Sequence, residues 1–491
     1  MSAFVVIVSI LWITRIAGNV LSYAKLWWLK EYRFDRMFIH LRTKQGKQIL
    51  FIPFHFYHVS PKSILLILLT FLLLAFLYMY VPMTWWLAFL VVDLLTFPVT
   101  GLVVSFLTVP TIFVHEWRIW RATSVLRSHT PMMVIGVTGS YGKTSTKEYL
   151  STILSTKYKV LKTEASKNSL IGIAEVVLHD LRPDTEVFVV EMGAYKRGEI
   201  ARMSEMVRPQ IGIVTAINPQ HQDLFGSIET TMKAKYELIE GLSGHQIAII
   251  NMDNVHVRQM STWAQNEGRD VWFFTLEKQS FDPSKDIFFA DDIRLFQHSI
   301  AFTLRHKKEA VEVEASVIGA FQAGNITAAI AAAVAAGMSL AQSADACRHI
   351  KPVEKMMQPI RGINGSTFID DTFNNNPDAA IAAISYLGQA KGRKFLVFQP
   401  MIELGKYADQ SHEEVGKVAG AVCDEIILTN SNFVKSFSNG VHTVNNRKEI
   451  HILHYQQAVN FIKSHVHEDD VVLFKGKEAE GVLKSFYRHL V

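Results

Sequence analysis

The sequence predicts an α/β protein preceded by N-terminal transmembrane helices, and two patterns support this prediction. From Pro131 onward, apolar runs of strand length alternate with amphipathic helical patterns, which is typical of α/β layers with largely parallel sheets. Among the predicted strands are Val187–Glu191, Ile247–Asn251 and Val471–Lys475. Before that point, residues 1–114 are dominated by three long apolar stretches. We therefore expect a membrane segment over residues 1–116, followed by two α/β domains of ordinary size over residues 117–350 and 351–491.

The first two apolar stretches are candidates for crossing a bilayer. Ile64–Val81 is an uncharged run of 18 residues, close to the length that a bilayer core requires. Ala3–Ala24 is apolar apart from Arg15. A cleaved signal peptide is the competing interpretation of this stretch, but it lacks a basic n-region and Arg15 interrupts its apolar run. These features favour an uncleaved anchor.

The third stretch, Trp85–Val114, is apolar apart from Asp93. Its 30 residues are long for one span and short for two, so Pro98 and Pro110 either kink it or lay part of it along the interface. Asp93 has two interpretations. It is either a functional carboxylate within the membrane or an interfacial group near the tryptophans that begin the stretch.

Positive charge is concentrated in the N-terminal segment. Residues 1–130 contain 12 Lys and Arg against 4 Asp and Glu, which leaves 38 against 41 for the other 361 residues. The basic total of +5 therefore does not indicate a nucleic acid partner. The positive-inside rule places the basic loop of about residues 25–60 and everything after residue 115 in the cytoplasm, at a cell membrane crossed an odd number of times. The same loop either binds anionic membrane lipid or only orients the chain.

A glycine-rich loop follows the first apolar run of the α/β part. Thr138-Gly-Ser-Tyr-Gly-Lys-Thr-Ser145 stands between a strand-like run and a helical pattern, with Val137 where the strict phosphate-loop pattern has its first glycine. In this order the backbone N–H groups point at phosphates, the lysine adds a positive charge, and the hydroxyl binds Mg²⁺. The sequence therefore predicts ATP and Mg²⁺ as cofactors. The residues predicted to hold the nucleotide are Gly139, Ser140, Gly142, Lys143, Thr144 and Ser145.

Five further segments carry polar residues in a specific order. They are Lys167-Asn-Ser-Leu-Ile-Gly172, Val190-Glu-Met-Gly-Ala194, Asn218-Pro-Gln-His-Gln-Asp-Leu-Phe-Gly-Ser227, Ala234-Lys-Tyr-Glu237 and Asp370-Asp-Thr-Phe-Asn-Asn-Asn-Pro377. With the glycine loop, they resemble the Mur ligases of peptidoglycan synthesis, in particular the type that adds D-alanyl-D-alanine. The resemblance runs from about Val134 to the C-terminus. It implies a Mur-type P-loop ATPase domain in the centre and a Rossmann-like α/β domain at the C-terminus.

The resemblance also implies roles for individual residues. Thr144 and Glu191 would hold a first Mg²⁺, whose preference is for oxygen ligands, and His221 would hold a second together with a carbamate on Lys235. Lys143, Glu191, His221 and Lys235 are the implied catalytic residues. Further residues implied to bind the nucleotide are Asn325, Asp371 and Asn374.

Four of these residues also have simpler interpretations. Glu191 could be an exposed carboxylate that follows a strand, and His221 an ordinary loop histidine. Lys235 could be a solvated lysine of a helix, and Asp371 the cap of a turn. The position of Glu191 at the carboxyl end of a strand, where α/β sites lie, and the length of the other matches favour the functional interpretations.

Two features depart from the family pattern. The family's P-G-R-M segment reads Pro352-Val-Glu-Lys-Met-Met357, so Met356 stands at the arginine position, and Lys355 or Arg361 is the candidate substitute. In addition, a membrane segment stands in place of the family's UDP-sugar-binding domain. This second departure favours an acceptor carboxylate on a membrane-bound or polymeric substrate.

The sequence therefore predicts a membrane-anchored, ATP- and Mg²⁺-dependent amide ligase that works through an acyl phosphate. Its expected partners are a carboxylate acceptor, such as a lipid- or UDP-linked muramoyl peptide, and an amino acid or dipeptide amine. Two alternatives remain: a poly-γ-glutamate synthase-type ligase, and a membrane-bound nucleotide-binding scaffold. The missing arginine favours the scaffold, whereas two implied metal sites favour the ligase.

Overall fold

The chain divides into two units, residues 1–120 and residues 121–491. The described residues of the computed structural model are 3–29, 32, 34, 37–38, 41, 59–80, 84–129, 131–164, 167–218, 225–402 and 404–487.

Helices dominate the described part of the N-terminal unit. They are α1 (Ala3–Leu29), α2 (Pro61–Tyr80) and α3 (Trp85–Ser128), the last of which runs past the end of the unit. All three are long and apolar enough to cross a membrane. The helix α3 continues through both Pro98 and Pro110, so the third apolar stretch forms one helix and not two. Large apolar side chains such as Phe106 and Phe113 are more than two-thirds exposed, an arrangement that suits lipid better than water.

Asp93 on α3 is paired with two polar side chains of α1. The Nε atom of Arg15 donates to Asp93 Oδ2 at 2.8 Å, and the side-chain amide of Asn19 donates to Oδ1 at 2.7 Å. Asn19 is almost completely buried, whereas the side chain of Arg15 is about half exposed. Arg15, which in the sequence only interrupts an apolar run, therefore links α1 to α3 through Asp93.

We expect Arg15→Leu to lower the unfolding free energy of the detergent-solubilised protein by about 1–2 kcal/mol, because Asp93 loses its charged partner in apolar surroundings. The measurement is thermal unfolding. The double variant Arg15→Leu, Asp93→Leu removes both charges and should recover most of this loss. Thr14→Leu, at the exposed neighbouring position, is the control. A double variant as unstable as the single one would contradict the pairing.

The first sheet of the C-terminal unit has nine strands among the described residues, in the order β2-β3-β1-β4-β5-β6-β7-β8-β9. The strands from β2 to β7 are parallel, and β7, β8 and β9 are antiparallel. The strands are β1 (Met133–Thr138), β2 (Val160–Lys162), β3 (Val187–Glu191), β4 (Ile211–Val214), β5 (Ile247–Asn251), β6 (Asp270–Thr275), β7 (Ile287–Leu295), β8 (Ile300–His306) and β9 (Glu309–Ala315). Its helices are α4 (Lys143–Leu154), α5 (Leu170–Asp180), α6 (Glu199–Val207), α7 (Ile228–Glu240), α8 (Val255–Asn266), α9 (Gln322–Ala335) and α10 (Leu340–Ala346), with 3₁₀ turns at Lys278–Ser280 and Cys347–His349.

The second sheet has six strands among the described residues, in the order β10-β11-β15-β12-β13-β14. Only β10 is antiparallel to its neighbour. The strands are β10 (Gln358–Arg361), β11 (Thr367–Asp371), β12 (Lys394–Phe398), β13 (Glu425–Leu428), β14 (Ile450–Ile452) and β15 (Val471–Lys475). The helices are α11 (Pro377–Leu387), α12 (Ala408–Val422), α13 (Val434–Val444), α14 (Tyr455–His465) and α15 (Lys477–Lys484), with a 3₁₀ turn at Gly405–Tyr407.

The position of β1 explains where a site forms. It pairs with β3 on one side and β4 on the other, with Val137 opposite Glu191 and Thr138 opposite Val214. The loop after β1 therefore lies at the carboxyl edge of a parallel sheet, next to the end of β3. The alanine-rich helix α9 packs against α4, because alanine allows close approach, and its residues 328–333 are fully buried. The predicted α/β class is confirmed.

Candidate nucleotide and metal site

The backbone of the glycine loop needs glycine at two positions. Gly139 has φ +145°, and a Cβ atom there would lie 2.0 Å from the side-chain oxygen of Thr215. Gly142 has φ +80°, and a Cβ atom there would lie 2.7 Å from Asn325 Oδ1. Between them, the N–H of Ser140 donates to a carbonyl that follows β4. The loop is therefore tied to neighbouring strand ends in a conformation that larger residues would disrupt.

Lys143 folds back over this loop. Its Nζ atom donates to the carbonyl oxygens of Gly139 at 2.7 Å and Ser140 at 3.2 Å. Burial lowers the pKa of Lys143, and the carboxylate of Glu191 acts in the opposite direction. An ammonium desolvated in this way gains from a bound anion, as expected for a lysine that meets phosphate.

Thr144 and Glu191, which the family resemblance implies as ligands of one Mg²⁺, lie next to each other. The hydroxyl of Thr144 donates to Glu191 Oε2 at 3.0 Å, and the side-chain amide of Asn168 donates to Oε1 at 3.1 Å. Glu191 is 1% exposed, so it is not the exposed carboxylate of the simpler interpretation. The hydroxyl and carboxylate oxygens suit Mg²⁺. Among the described residues, no group of three or more His, Cys, Asp or Glu could hold a metal ion.

Lys147 is a site residue that the sequence analysis missed. It is fully buried, and its Nζ atom donates to the carbonyl of Thr163 at 2.6 Å. The same atom lies 3.0 Å from Glu148 Oε1 and 3.7 Å from Glu191 Oε2. Lys147 therefore helps to hold the Glu191 carboxylate in place. Its spacing was a usable signal, because a residue four positions after Lys143 lies on the same helix face.

Lys235 lies on α7 and is 4% exposed, so it is not a solvated lysine. Burial lowers the pKa of Lys235 to about 7, and the positive charge of Lys143 lowers it in the same direction. A large fraction of its amine is therefore neutral near pH 7, and carbamate formation requires a neutral amine. Its implied partner His221 falls within residues 219–224, outside the described residues. The second metal site therefore stays a prediction.

The second sheet contributes Asp371. Its Oδ2 atom accepts a hydrogen bond from Lys475 Nζ at 2.6 Å, and its Oδ1 atom accepts from the backbone N–H of Met357 at 3.3 Å. Asn374 follows in the loop after β11, where its side-chain oxygen accepts from the N–H of Asn375 at 2.8 Å. The side chain of Asp371, at the end of β11, is therefore hydrogen-bonded to Lys475 at the end of β15.

A cavity of about 150 Å³ joins the two sheets of this unit at their carboxyl edges. Of the predicted residues, it is lined by Ser140, Gly142, Lys143, Thr144, Ser145, Asn325, Asp371 and Asn374. Glu191 lies behind Thr144, and Gly139, Glu191 and Lys235 are not part of the lining. A hydrogen bond links the two sides, since the side-chain amide of Asn218 donates to Asp378 Oδ2 at 2.7 Å.

The arginine position of the family pattern faces this cavity. Met356 lines it, and the hydroxyl of Ser145 approaches Met356 Sδ at 3.7 Å. The candidate substitutes lie elsewhere: Lys355 pairs with Glu480 at 3.3 Å, and Arg361 is exposed on β10. Within the described part of the chain, the basic side chains of the lining are Lys143 and Lys475. Sequence reasoning placed Lys475 at a strand end but missed it as a site residue.

The fold and the site define a nucleotide-binding enzyme with a phosphate loop on one sheet and a second α/β sheet across the cavity. Residues 137–333 match the model of the Mur ligase middle domain, and residues 357–478 match that of the Mur ligase, glutamate ligase domain. The chain belongs to the Mur ligase family, whose members are ATP-dependent amide ligases. The family resemblance found in the sequence is therefore confirmed.

Several relatives share one name. The UDP-N-acetylmuramoyl-tripeptide–D-alanyl-D-alanine ligase of Escherichia coli K12 is 32% identical over 305 residues, which span 62% of this chain and 66% of that protein. The ligase of the same name from Buchnera aphidicola is 30% identical over 66% of this chain and 70% of that protein. The chain thus spans about two thirds of the length of these relatives.

Solved structures show the same relationship. MurF from Acinetobacter baumannii is similar with a TM-score of 0.68 and 26% identity, over 76% of this chain and 80% of that one. MurF ligase from Thermotoga maritima in complex with ADP is similar with a TM-score of 0.66 and 25% identity, over 77% of this chain and 84% of that one.

Proposed function

We propose that this protein is a membrane-anchored, ATP- and Mg²⁺-dependent amide ligase of cell-envelope synthesis. Its substrates in this proposal are a muramoyl peptide carboxylate, linked to lipid or to UDP, and the amine of an amino acid or of D-alanyl-D-alanine. The names of the relatives support this substrate class. The observation that carries the proposal is the Thr144–Glu191 pair beside the glycine loop, on the edge of a cavity that a second α/β sheet completes.

The chemistry in this proposal has two steps. An oxygen of the acceptor carboxylate attacks the γ-phosphorus of ATP, the bond from that phosphorus to the β–γ bridging oxygen breaks, and ADP leaves. The amine then attacks the acyl phosphate carbon, the C–N bond forms, phosphate leaves, and the amine loses a proton to solvent.

The residues of the loop and of β3 serve the first step. Lys143 and the loop N–H groups bind the phosphates, and Thr144 with Glu191 would hold Mg²⁺. When bound, the ion neutralises charge that develops on the phosphoryl oxygens. Lys147 and Asn168 keep the Glu191 carboxylate oriented.

The N-terminal unit supports a membrane location. Its three helices are apolar over membrane-spanning lengths, and the flanking basic residues favour catalytic domains in the cytoplasm. We place the protein in the cell membrane as a multi-pass protein that receives its acceptor at the membrane surface. A poly-γ-glutamate synthase-type ligase is the alternative that such an anchored architecture also favours.

The test is release of ADP and phosphate by the full-length protein in lipid, with Mg²⁺ and with pairs of UDP- or lipid-linked muramoyl peptides and either D-alanyl-D-alanine or glutamate. We expect release with a muramoyl peptide and D-alanyl-D-alanine. Lys143→Ala should lower this release about 100-fold, because the phosphates lose their cation. Lys159→Ala, at an exposed position, is the matched control.

The same assay is run with glutamate as both acceptor and amine, and other outcomes would contradict the proposal in different ways. Release with glutamate alone would favour the poly-γ-glutamate alternative. ATP binding without release for every pair would favour the nucleotide-binding scaffold.

A further inference from the structure

Transfer of a phosphoryl group requires positive charge around its oxygens, because negative charge spreads over them in the transition state. On the side of the first sheet, Lys143 supplies such a charge. On the side of the second sheet, Met356 offers a thioether, which carries no charge. The cavity therefore needs a cation from another position of the second sheet.

Lys475 occupies a suitable position. It ends β15, which lies between β11 and β12, with Asp371 and Phe398 as its register partners. Ligands of α/β sheets bind at this carboxyl edge. Lys475 is 1% exposed, and it lines the same cavity as Lys143 and Thr144.

The ammonium group of Lys475 is able to donate further hydrogen bonds to an anion. Among the residues that the structure describes, its Nζ atom donates one hydrogen bond, to Asp371 Oδ2 at 2.6 Å, whereas an ammonium has three donors. Asp371 is fixed from its other oxygen by the N–H of Met357. The carboxylate thus holds the side chain of Lys475 at the edge of the cavity.

The other nearby basic side chains are engaged elsewhere. Lys355 is paired with Glu480 and with Glu354, and Arg361 is exposed on the edge strand β10. In the described part of the chain, Lys475 is thus the basic residue of the second sheet that lines the cavity.

We propose that Lys475 is a catalytic residue of this enzyme, which contacts the γ-phosphoryl group during transfer and supplies the charge that Met356 does not. Asp371 is its positioning residue. This inference rests on the proposed function, in which the γ-phosphoryl group moves from the β–γ bridging oxygen of ATP to an oxygen of the acceptor carboxylate. Lys475 makes no bond in that step and loses no proton.

The experiment compares two affinities of the full-length protein, one for ADP and one for a non-hydrolysable ATP analogue that carries the γ-phosphate. We expect Lys475→Met to weaken binding of the analogue about 10-fold and to leave the affinity for ADP within about twofold, with turnover lowered about 50-fold. Lys477→Met, at an exposed position two residues further on, should change neither affinity.

Two further variants separate this role from a structural one. Asp371→Asn combined with Lys475→Met removes both charges, so it avoids an unpaired buried carboxylate and should keep the fold while analogue binding stays weak. Met356→Arg combined with Lys475→Met returns a cation to the cavity and should recover part of the analogue affinity.

The outcomes are distinct. The inference is wrong if Lys475→Met weakens the binding of ADP and of the analogue equally, or if the folded variant binds both as tightly as the wild type. The proposed function still stands in these cases if the wild-type protein turns over its substrates. Selective weakening of the analogue in a protein that turns over no substrate pair would support the phosphate contact and contradict the proposed ligase.

Discussion

Glu191→Gln is expected to lower ADP release about 1,000-fold, because a neutral amide replaces the proposed anionic ligand of Mg²⁺ and several kcal/mol of charge stabilisation is lost. The substitution keeps the size of the side chain. A glutamine amide also cannot accept from Thr144 and Asn168 together, as the two carboxylate oxygens of Glu191 do.

The measurement is the rate of ADP release at increasing Mg²⁺ concentration. We expect the variant to require more Mg²⁺ than the wild-type protein. Glu205→Gln, on an exposed position of α6, is the control and should behave as the wild type. An unchanged Mg²⁺ requirement in Glu191→Gln would show that this carboxylate does not hold the ion.

Lys235→Arg is expected to lower turnover about 500-fold, because a guanidinium stays protonated and forms no carbamate. In the wild-type protein, burial lowers the pKa of Lys235 to about 7. The neutral fraction of the amine therefore rises as the pH increases through about 7. Carbamate formation, and with it turnover, should rise in the same direction.

The measurement is turnover in buffer depleted of CO₂ and again after bicarbonate is added, at about pH 6 and about pH 8. The wild-type protein should lose activity on depletion and regain it with bicarbonate. Lys233→Arg, two residues earlier on the same helix and partly exposed, is the control. Activity of Lys235→Arg equal to that of the wild type would rule out the carbamate.

The strands were largely predictable where both faces are buried. Val187–Glu191, Ile247–Asn251 and Val471–Lys475 have the bounds that their continuous apolar runs indicate. The antiparallel strands β8 and β9 were missed. Their alternation of apolar and polar residues was a usable signal, since one face of an antiparallel sheet is commonly solvated.

Only those parts of the site that lie within short continuous motifs were predictable from the sequence. The glycine loop and Glu191 were found because their motifs are short and continuous, and the structure places Glu191 beside Thr144. The spacing of Lys147 from Lys143 indicates a shared helix face, but the sequence does not show that Lys147 is buried against Glu191, and it was missed. The role of His221 stays a prediction.

The sequence by itself determined the properties that depend on neighbouring residues: the three apolar helices, the phosphate loop and the family motifs. Only the tertiary structure decided which distant side chains meet. It paired Arg15 with Asp93, and it brought Lys475 and Asp371 to the cavity that Lys143 also lines. The physical reason is that these contacts arise from helix packing and from strand order in a parallel sheet, which bring together residues far apart in the chain.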